Sequence, residues 1–330
     1  MKLKHFLLIV LVMSIIWQFS LKADAPLKIS ILKKPDLTIG WVGDMVPNES
    51  DTEYNSSAFA GVAPELRKPD IMIGNLEGTF AHADRASKCI YIASMCHAFQ
   101  GQPIFADSIK DAGFDVVSLV NNHSYDFGDD GLLDTEAELD RVGIPYISPT
   151  KPTLSISVHG KRVGIVGVSS TPPLETINDY EYIRKTVSEL KANNDIVVFI
   201  MHGGAEGADK TAVPGTYEWM GTENRGNVEL VAKTAIDAGA DLVLGSGPHV
   251  LRKIDIYKDK PIAYSLGNFV GGKHLITKGI LSVSGIFTAS FTENEPTSFN
   301  FISIKLSDAG LPFIDLTDAG KDLIETLSGR

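Results

Sequence analysis

Apolar runs that stop abruptly at polar clusters constrain this chain more than any other feature. Residues 37–42, 71–73, 116–120, 196–201, 242–244 and 262–264 read as strands of largely apolar character. Each leads directly into a polar tip: Gly43-Asp44, Gly74-Asn75-Leu76-Glu77, Asn121-Asn122-His123, His202-Gly203-Gly204-Ala205-Glu206, Gly245-Ser246-Gly247-Pro248-His249, and Ser265-Leu266-Gly267-Asn268-Phe269. Continuous apolar runs belong to parallel strands buried on both faces. Ligands of such sheets gather beyond the carboxyl ends of the strands. Six such tips in one chain therefore predict one crevice lined by Asp, Glu, Asn and His.

Helical stretches alternate with these runs at 105–112, 132–142, 182–192 and 228–238. Gly113, Gly143 and Gly239 follow three of them, where a left-handed residue closes a helix. Strand-helix alternation predicts an α/β architecture. One unit repeats: Asp115 and Asp241 each precede a strand and stand the same number of residues before His123 and His249. Residues 281–291 and 299–306 read as further strands without ligand clusters, expected to complete a second sheet, and 318–327 as a closing helix. The chain has 330 residues and no long linker between Asp44 and Asn268, so one domain is expected over 26–330, with the motifs at 37–272 and the closing strands and helix at 276–330. Residues 81–101 show no periodicity and read as a loop near the site entrance.

Residues 1–25 read as an address rather than fold. Lys2 and Lys4 precede an apolar stretch from Phe6 to Trp17, and Ala23-Asp24-Ala25 matches a small-residue cleavage site. A signal peptide is expected, with an uncleaved anchor as the alternative; either places the domain outside the cytoplasm, in the periplasm or cell envelope. Cys89 and Cys96, the two cysteines of the chain, would then pair across a short loop, two free thiols being the other reading. A net charge of −11 without a Lys/Arg run argues against nucleic acid as partner. It leaves an anionic substrate open, because a bound cation reverses the local field.

Asp44 and Glu77 offer carboxylates, Asn122 a carbonyl oxygen, and His202 and His249 imidazoles. That mixture suits Mn, Zn or Fe better than Ca. His123, beside Asn122, is placed to act as a general acid. Plainer roles stand beside these: a helix cap for Asp44, a solvated loop for Glu77, a turn for Asn121-Asn122, packing or capping for Asn268. Gly43 is expected to permit a sharp turn before Asp44. No Gly-x-Ser-x-Gly elbow or P-loop occurs.

In combination and order these motifs resemble the bacterial CapA-like proteins of capsule and poly-γ-glutamate biosynthesis. The resemblance runs over about 37–272, and includes Asp126-Phe127-Gly128, Glu223-Asn224-Arg225-Gly226 and Pro248-His249-Val250-Leu251. It implies a fold like the calcineurin-like metallophosphoesterases: a four-layer α-β-β-α sandwich of two mixed sheets with the site at one end. It would make Asp44, Glu77, Asn122, His202 and His249 the ligands of one or two divalent ions, and His123 the catalytic acid. Glu206, Arg225 and Asn268 would face the substrate, an anionic polymer or phosphoester, and membrane subunits of a capsule synthesis complex are candidate partners. Two readings follow, a metal-dependent hydrolase or transferase and a non-catalytic polymer-binding component of an assembly or export complex. Two departures bear on the ion count. Val46 stands where broader metallophosphoesterases carry His, and Ser246 where many relatives do. Ser is a weak ligand, so replacing Ser246 by His is expected to strengthen metal binding.

Overall fold

In β1 (Leu37–Met45), Ile39 and Trp41 enter one apolar core while Val42 and Met45 enter another. Successive strand side chains point to opposite faces, so an uninterrupted apolar strand must be covered on both. The computed structural model describes residues 34–81, 87–89, 97–170, 176–271 and 274–329, which fall within the compact unit Pro35–Arg330 apart from Lys34. The expected leader at 1–25 lies outside the described residues, as does Cys96.

β1 runs parallel to β2 (Ile71–Leu76), which pairs with β3 (Val116–Ser118), which pairs with β4 (Tyr146–Ile147). β5 (Thr153–Val158), β6 (Lys161–Ser169) and β7 (Ile196–His202) begin the second sheet. A separate hairpin follows, β8 (Glu218–Met220) and β9 (Glu223–Gly226). β10 (Leu242–Ser246), β11 (Ile254–Tyr257) and β12 (Lys260–Ala263) complete the second sheet in the order β11-β12-β10-β7-β6-β5. β13 (Asn268–Val270) crosses back to pair in parallel with β1. β14 (Val283–Phe291), β15 (Ser298–Leu306) and β16 (Pro312–Ile314) extend the first sheet, in the order β16-β15-β14-β1-β2-β3-β4. These last strands thus lengthen the sheet of β1 rather than complete the other one, because β14 takes the free antiparallel edge of β1.

Three apolar cores separate four layers. Ile39, Ile73, Val198 and Leu244 meet between the sheets. Val42, Met72 and Val117 face Phe105, Ile109 and Leu139 of the helices Ile104–Ala112 and Gly128–Val142. Val197, Phe199 and Met201 face Ile183, Val187 and Val231 of the helices Tyr180–Lys191 and Val228–Asp237. Parity within each strand does the sorting, and the α-β-β-α sandwich is the result. Trp41 ties the sheets together just below their carboxyl ends: its Nε1 donates to the Gly245 carbonyl at 3.2 Å.

Four aspartates standing directly before parallel strands set the register. Asp70 accepts the backbone N–H of Thr38 at 2.8 Å, and Asp115 that of Met72 at 2.8 Å. Asp195 accepts that of Arg162 at 2.7 Å, and Asp241 that of Val197 at 2.9 Å. A one-residue slip would send every side chain to the wrong face, so a clamp at the strand start also fixes what emerges at its end. The repeat from Asp115 to His123 and from Asp241 to His249 is therefore one device used twice, a clamp at the foot and a histidine beyond the top. Asp241→Ala leaves the buried Val197 N–H without an acceptor and should cost about 1–3 kcal/mol. Urea unfolding measures it, and a midpoint shift worth less than about 0.5 kcal/mol, the range of neutral surface changes, would deny the clamp its role.

Candidate metal centre

β1 carries Asp44 to the seam between the two sheets through an irregularity. Its register against β2 shifts between Trp41 and Asp44, and against β13 between Asp44 and Met45. Bulges of this kind beside functional sites re-aim a side chain. Gly43 does not turn the chain there, contrary to the expectation from sequence, because β1 continues through it to Met45. Its reason is close approach: a Cβ at residue 43 would stand 1.9 Å from the Gly267 carbonyl oxygen. That carbonyl instead accepts the Asp44 N–H at 2.9 Å.

Glu77 lies just past β2 and is fully buried. Its Oε1 has the Nε2 atoms of His123, His202 and His249 each at 3.8 Å. Each of the three rings is held from behind through Nδ1. His123 meets the Asp126 carboxylate at 2.7 Å, His202 the Ser246 hydroxyl at 3.0 Å, and His249 the Asn268 carboxamide oxygen at 2.9 Å. Partners at the far nitrogen fix ring orientation and tautomer, and they are the usual companions of metal-binding imidazoles. Asp44 completes the cluster, with Oδ2 3.2 Å from His249 Nδ1 and Oδ1 accepting from Asn75 Nδ2 at 2.8 Å. Asp44, Glu77 and His249 bring one ligand atom each within 4.8 Å of one another.

The donor set fits a cation. Both Glu77 carboxylate oxygens, Asn122 Oδ1 and His202 Nε2 are buried without a hydrogen-bond partner. Buried polar atoms are normally paired, and exceptions of this kind point to an ion. Metal bonds to nitrogen and oxygen are about 2.0–2.2 Å long, so donors up to about 4.2 Å apart can share one ion. The 3.8 Å separations fall inside that limit. Electrostatics agree. Burial, reinforced by Asp44, pushes the Glu77 carboxyl well above its usual range. Burial, reinforced by Arg225, holds His202 well below the ordinary imidazole value, which favours the neutral ring a metal ligand needs. Burial opposes the charged form of His249, but Glu77, Asp44 and Glu206 outweigh it and push the ring up to about 10. Excess negative charge facing three imidazoles is what a divalent ion offsets.

The other expected residues divide. Glu206 lines the crevice, its Oε2 3.9 Å from His249 Nε2. Arg225 is fully buried behind it, pairing with Glu206 at 2.9 Å and with Glu223 at 3.3 Å, and donating to the Gly204 carbonyl at 3.0 Å. It therefore orients Glu206 from behind. Asn268 has its carboxamide oxygen on His249 and its Nδ2 on the Leu281 carbonyl at 3.2 Å. Asn121 belongs to an amide relay: Nδ2 donates to Asn75 Oδ1 at 3.0 Å and Oδ1 accepts the His123 N–H at 2.9 Å. The relay joins Asp44 to His123 across three strands. His249 has φ near 60°, a left-handed conformation costing a non-glycine residue about 1–3 kcal/mol, held here by Pro248 and the surrounding turn.

Sequence reasoning assigned no role to Asp126, Phe99 or Lys88. Asp126 is fully buried and accepts from the Phe99 N–H at 2.7 Å and from Lys88 Nζ at 2.7 Å, besides holding His123. The Phe99 ring stacks on His123 at 4.0 Å and 19°. The Asn-His-x-x-Asp spacing of 122–126 was the available signal for Asp126, and the others belong to the segment without periodicity. Burial lowers the His123 pKa, with Asp126 opposing it.

Ser246 stands behind His202, not in the crevice, and is 2% exposed. In that turn it is Gly247 and His249 that reach Asp44, the Gly247 N–H at 3.4 Å and His249 Nδ1 at 3.2 Å from Oδ2. The expectation for Ser246→His therefore reverses, since an imidazole there displaces the hydroxyl holding His202. Ser246→Ala should lower metal affinity about 10–100-fold, the usual cost of losing a partner behind a ligand. Calorimetric titration with Mn or Zn reads it directly, and an unchanged isotherm would remove Ser246 from the site.

A family model described as "Bacterial capsule synthesis protein PGA_cap" matches residues 36–273, a span that holds every residue of the cluster. The chain belongs to the PGA_cap family. Within it, the "Capsule biosynthesis protein CapA" of Bacillus anthracis is 31% identical over 297 residues, covering 80% of this chain and 66% of that protein. The "PGA biosynthesis protein CapA" of Bacillus subtilis (strain 168) is 30% identical over 288 residues, covering 79% and 70%. The match thus spans just under two thirds of the first relative's length. A solved structure titled as a novel phosphatase of Mycoplasma pneumoniae aligns with a TM-score of 0.50 at 14% identity, over 87% of this chain and 99% of that one. At that identity the likeness is one of fold alone, and the PGA_cap chain has a metallophosphoesterase-like fold.

Proposed function

We propose that this PGA_cap chain is a metal-dependent hydrolase or transferase of metallophosphoesterase type, acting outside the cytoplasm in the biosynthesis of capsule, poly-γ-glutamate or a related polymer. The observation that carries the reading is a set of buried, unpartnered donors: Glu77 and His202 at 3.8 Å beside Asp44 and His249, with Asn122 Oδ1 unpartnered as well. These five residues would hold one or two ions of Mn, Zn or Fe. When bound, such an ion polarises the oxygen of a phosphoryl or acyl group and acidifies water. The chain's own residues do the rest. Asp126 accepts from Nδ1 of His123 and steadies its charged form, so Nε2 can deliver a proton to the leaving oxygen or nitrogen as its bond to the reacting centre breaks and water supplies the replacing oxygen. Glu206, steered by Arg225, borders the same space.

The printed names of the relatives, in capsule and PGA biosynthesis, support the envelope assignment. No helix among the described residues is long and apolar enough to cross a membrane. A leader at 1–25 and a Cys89–Cys96 bridge belong to the same proposal. Under it, both thiols resist labelling in the oxidised native protein and react after reduction, and full labelling without reductant would refute the bridge. The main test is elemental analysis of the purified domain, with thermal melting under added Mn, Zn or Fe and a screen of phosphoester and γ-glutamyl substrates. A bound ion with metal-dependent hydrolysis is the expected result. Absence of any metal-driven rise in Tm would overturn the reading, and metal binding with polymer binding but no turnover would favour the non-catalytic alternative.

A further inference from the structure

A cavity of about 300 Å³ opens beside the cluster. One side is chemical, formed by His123, His249 and Glu206. The other is a hydrocarbon wall of Phe99, Met220, Leu275, Ile276 and Leu281. Met220 and Ile276 remain 46% and 68% exposed, so the wall continues outward from the reacting groups to the surface. Binding pockets are typically apolar with a few placed polar groups, and this one has that composition.

The wall is tied to the site. Asn268 Nδ2 donates to the Leu281 carbonyl at 3.2 Å and to the Ile276 carbonyl at 3.5 Å, while its oxygen holds His249. Phe99 is fixed through its N–H on Asp126 and its stack on His123. One residue on each side of the wall is thus bonded to a group that holds a histidine of the cluster. A substrate resting on the wall is thereby registered against the reacting groups.

The charge lining this space is mixed. The described residues lining it include no lysine or arginine. Among the described residues, three cations near it are engaged internally: Arg225 with Glu206, Lys88 with Asp126, and Arg252 with Glu218 at 2.7 Å. Glu206 adds its own carboxylate to the lining. His97, His274 and His249, the last pushed up to about 10, bring imidazoles to the same lining, so a carboxylate finds partners here as well as a repelling group.

We infer that this cavity selects a substrate carrying an apolar hydrocarbon or aromatic group directly beside the reacting centre. The inference rests on the cluster being the reacting centre, as proposed above. The test is binding, so that it does not depend on turnover. Calorimetry on the Mn-loaded protein compares 1-naphthylphosphonate, methylphosphonate and tri-γ-glutamate, with 1-naphthol as a probe lacking the anionic group. Naphthylphosphonate should bind at least about ten-fold tighter than methylphosphonate, the scale of a modest apolar contact in a pocket. The preference should collapse in Leu281→Ser and in Ile276→Asp, both retaining the parent's metal-driven rise in Tm. Equal binding of the two phosphonates, or tighter binding of tri-γ-glutamate, would overturn the inference. If naphthol binds and Ile276→Asp abolishes it while no phosphonate binds, the apolar cavity stands and the phosphoester reading of the centre falls.

Discussion

Glu77→Gln should remove the metal-driven rise in melting temperature while leaving the metal-free protein at least as stable as the parent. The two effects have separate causes. Glu77 is fully buried, its carboxylate oxygens have no hydrogen-bond partner, and Asp44 and Glu206 add like charge. Its charge is a cost in the free protein, because burial and the like charges of Asp44 and Glu206 outweigh the attraction of His249 and Arg225. Gln keeps the shape and drops the charge. In the parent, metal at about 100 times its dissociation constant should add about 2.7 kcal/mol, which is several degrees in Tm for a domain of this size. In Glu77→Gln the rise should vanish, because the carboxylate that all three imidazoles face is gone. Differential scanning calorimetry with and without Mn decides it. An equal rise in both proteins would show that Glu77 is not a ligand and would dissolve the cluster as a metal centre.

The second large effect separates chemistry from binding. Asp126→Asn should lower kcat by about 10²–10⁴-fold, the usual share of a general acid. Asn presents an N–H₂ as readily as an oxygen towards His123 Nδ1 and cannot steady the imidazolium, so Nε2 loses its proton or its aim. Metal affinity should stay close to the parent's, because Asp126 holds His123 rather than the five proposed ligands. Lys88 and the Phe99 N–H both depend on the same carboxylate, so circular dichroism and Tm should accompany the kinetics. A parallel loss of metal affinity would make His123 a ligand. Unchanged turnover would remove it from the chemistry.

That Asp44, Glu77, His202 and His249 meet at one edge was legible in the sequence, because each ends an apolar run and parallel strands deliver their ends to one edge; that they and Asn122 bind an ion is the proposal. The four helices that alternate with the strands were legible from periodicity, three of them also from a following glycine, and begin and end within a few residues of expectation. The Asp repeat was visible as spacing, but its reason was not. Only pairing β2 with β3 and β7 with β10 reveals that Asp115 and Asp241 each clamp a neighbouring strand.

Contacts between segments far apart in the chain were beyond the sequence. Which sheet β14 and β15 would join depended on the open edge of β1, since an alternating strand fits either sheet equally well. Gly43 looked like a turn residue, and its purpose lay in a carbonyl more than two hundred positions away. Ser246 looked like a lost ligand, and the pairing of β10 with β7 placed it behind His202 instead. Asn268 and Arg225 were expected at the substrate; Asn268 lines the cavity and also holds His249, while Arg225 is buried against Glu206. Strand periodicity and polar tips are local, so the sequence by itself determined the layered α/β architecture and which polar residues stand at the strand tips. Ring orientation, buried partnership and the apolar wall depend on side chains meeting across strands and sheets, and only the tertiary structure decided them.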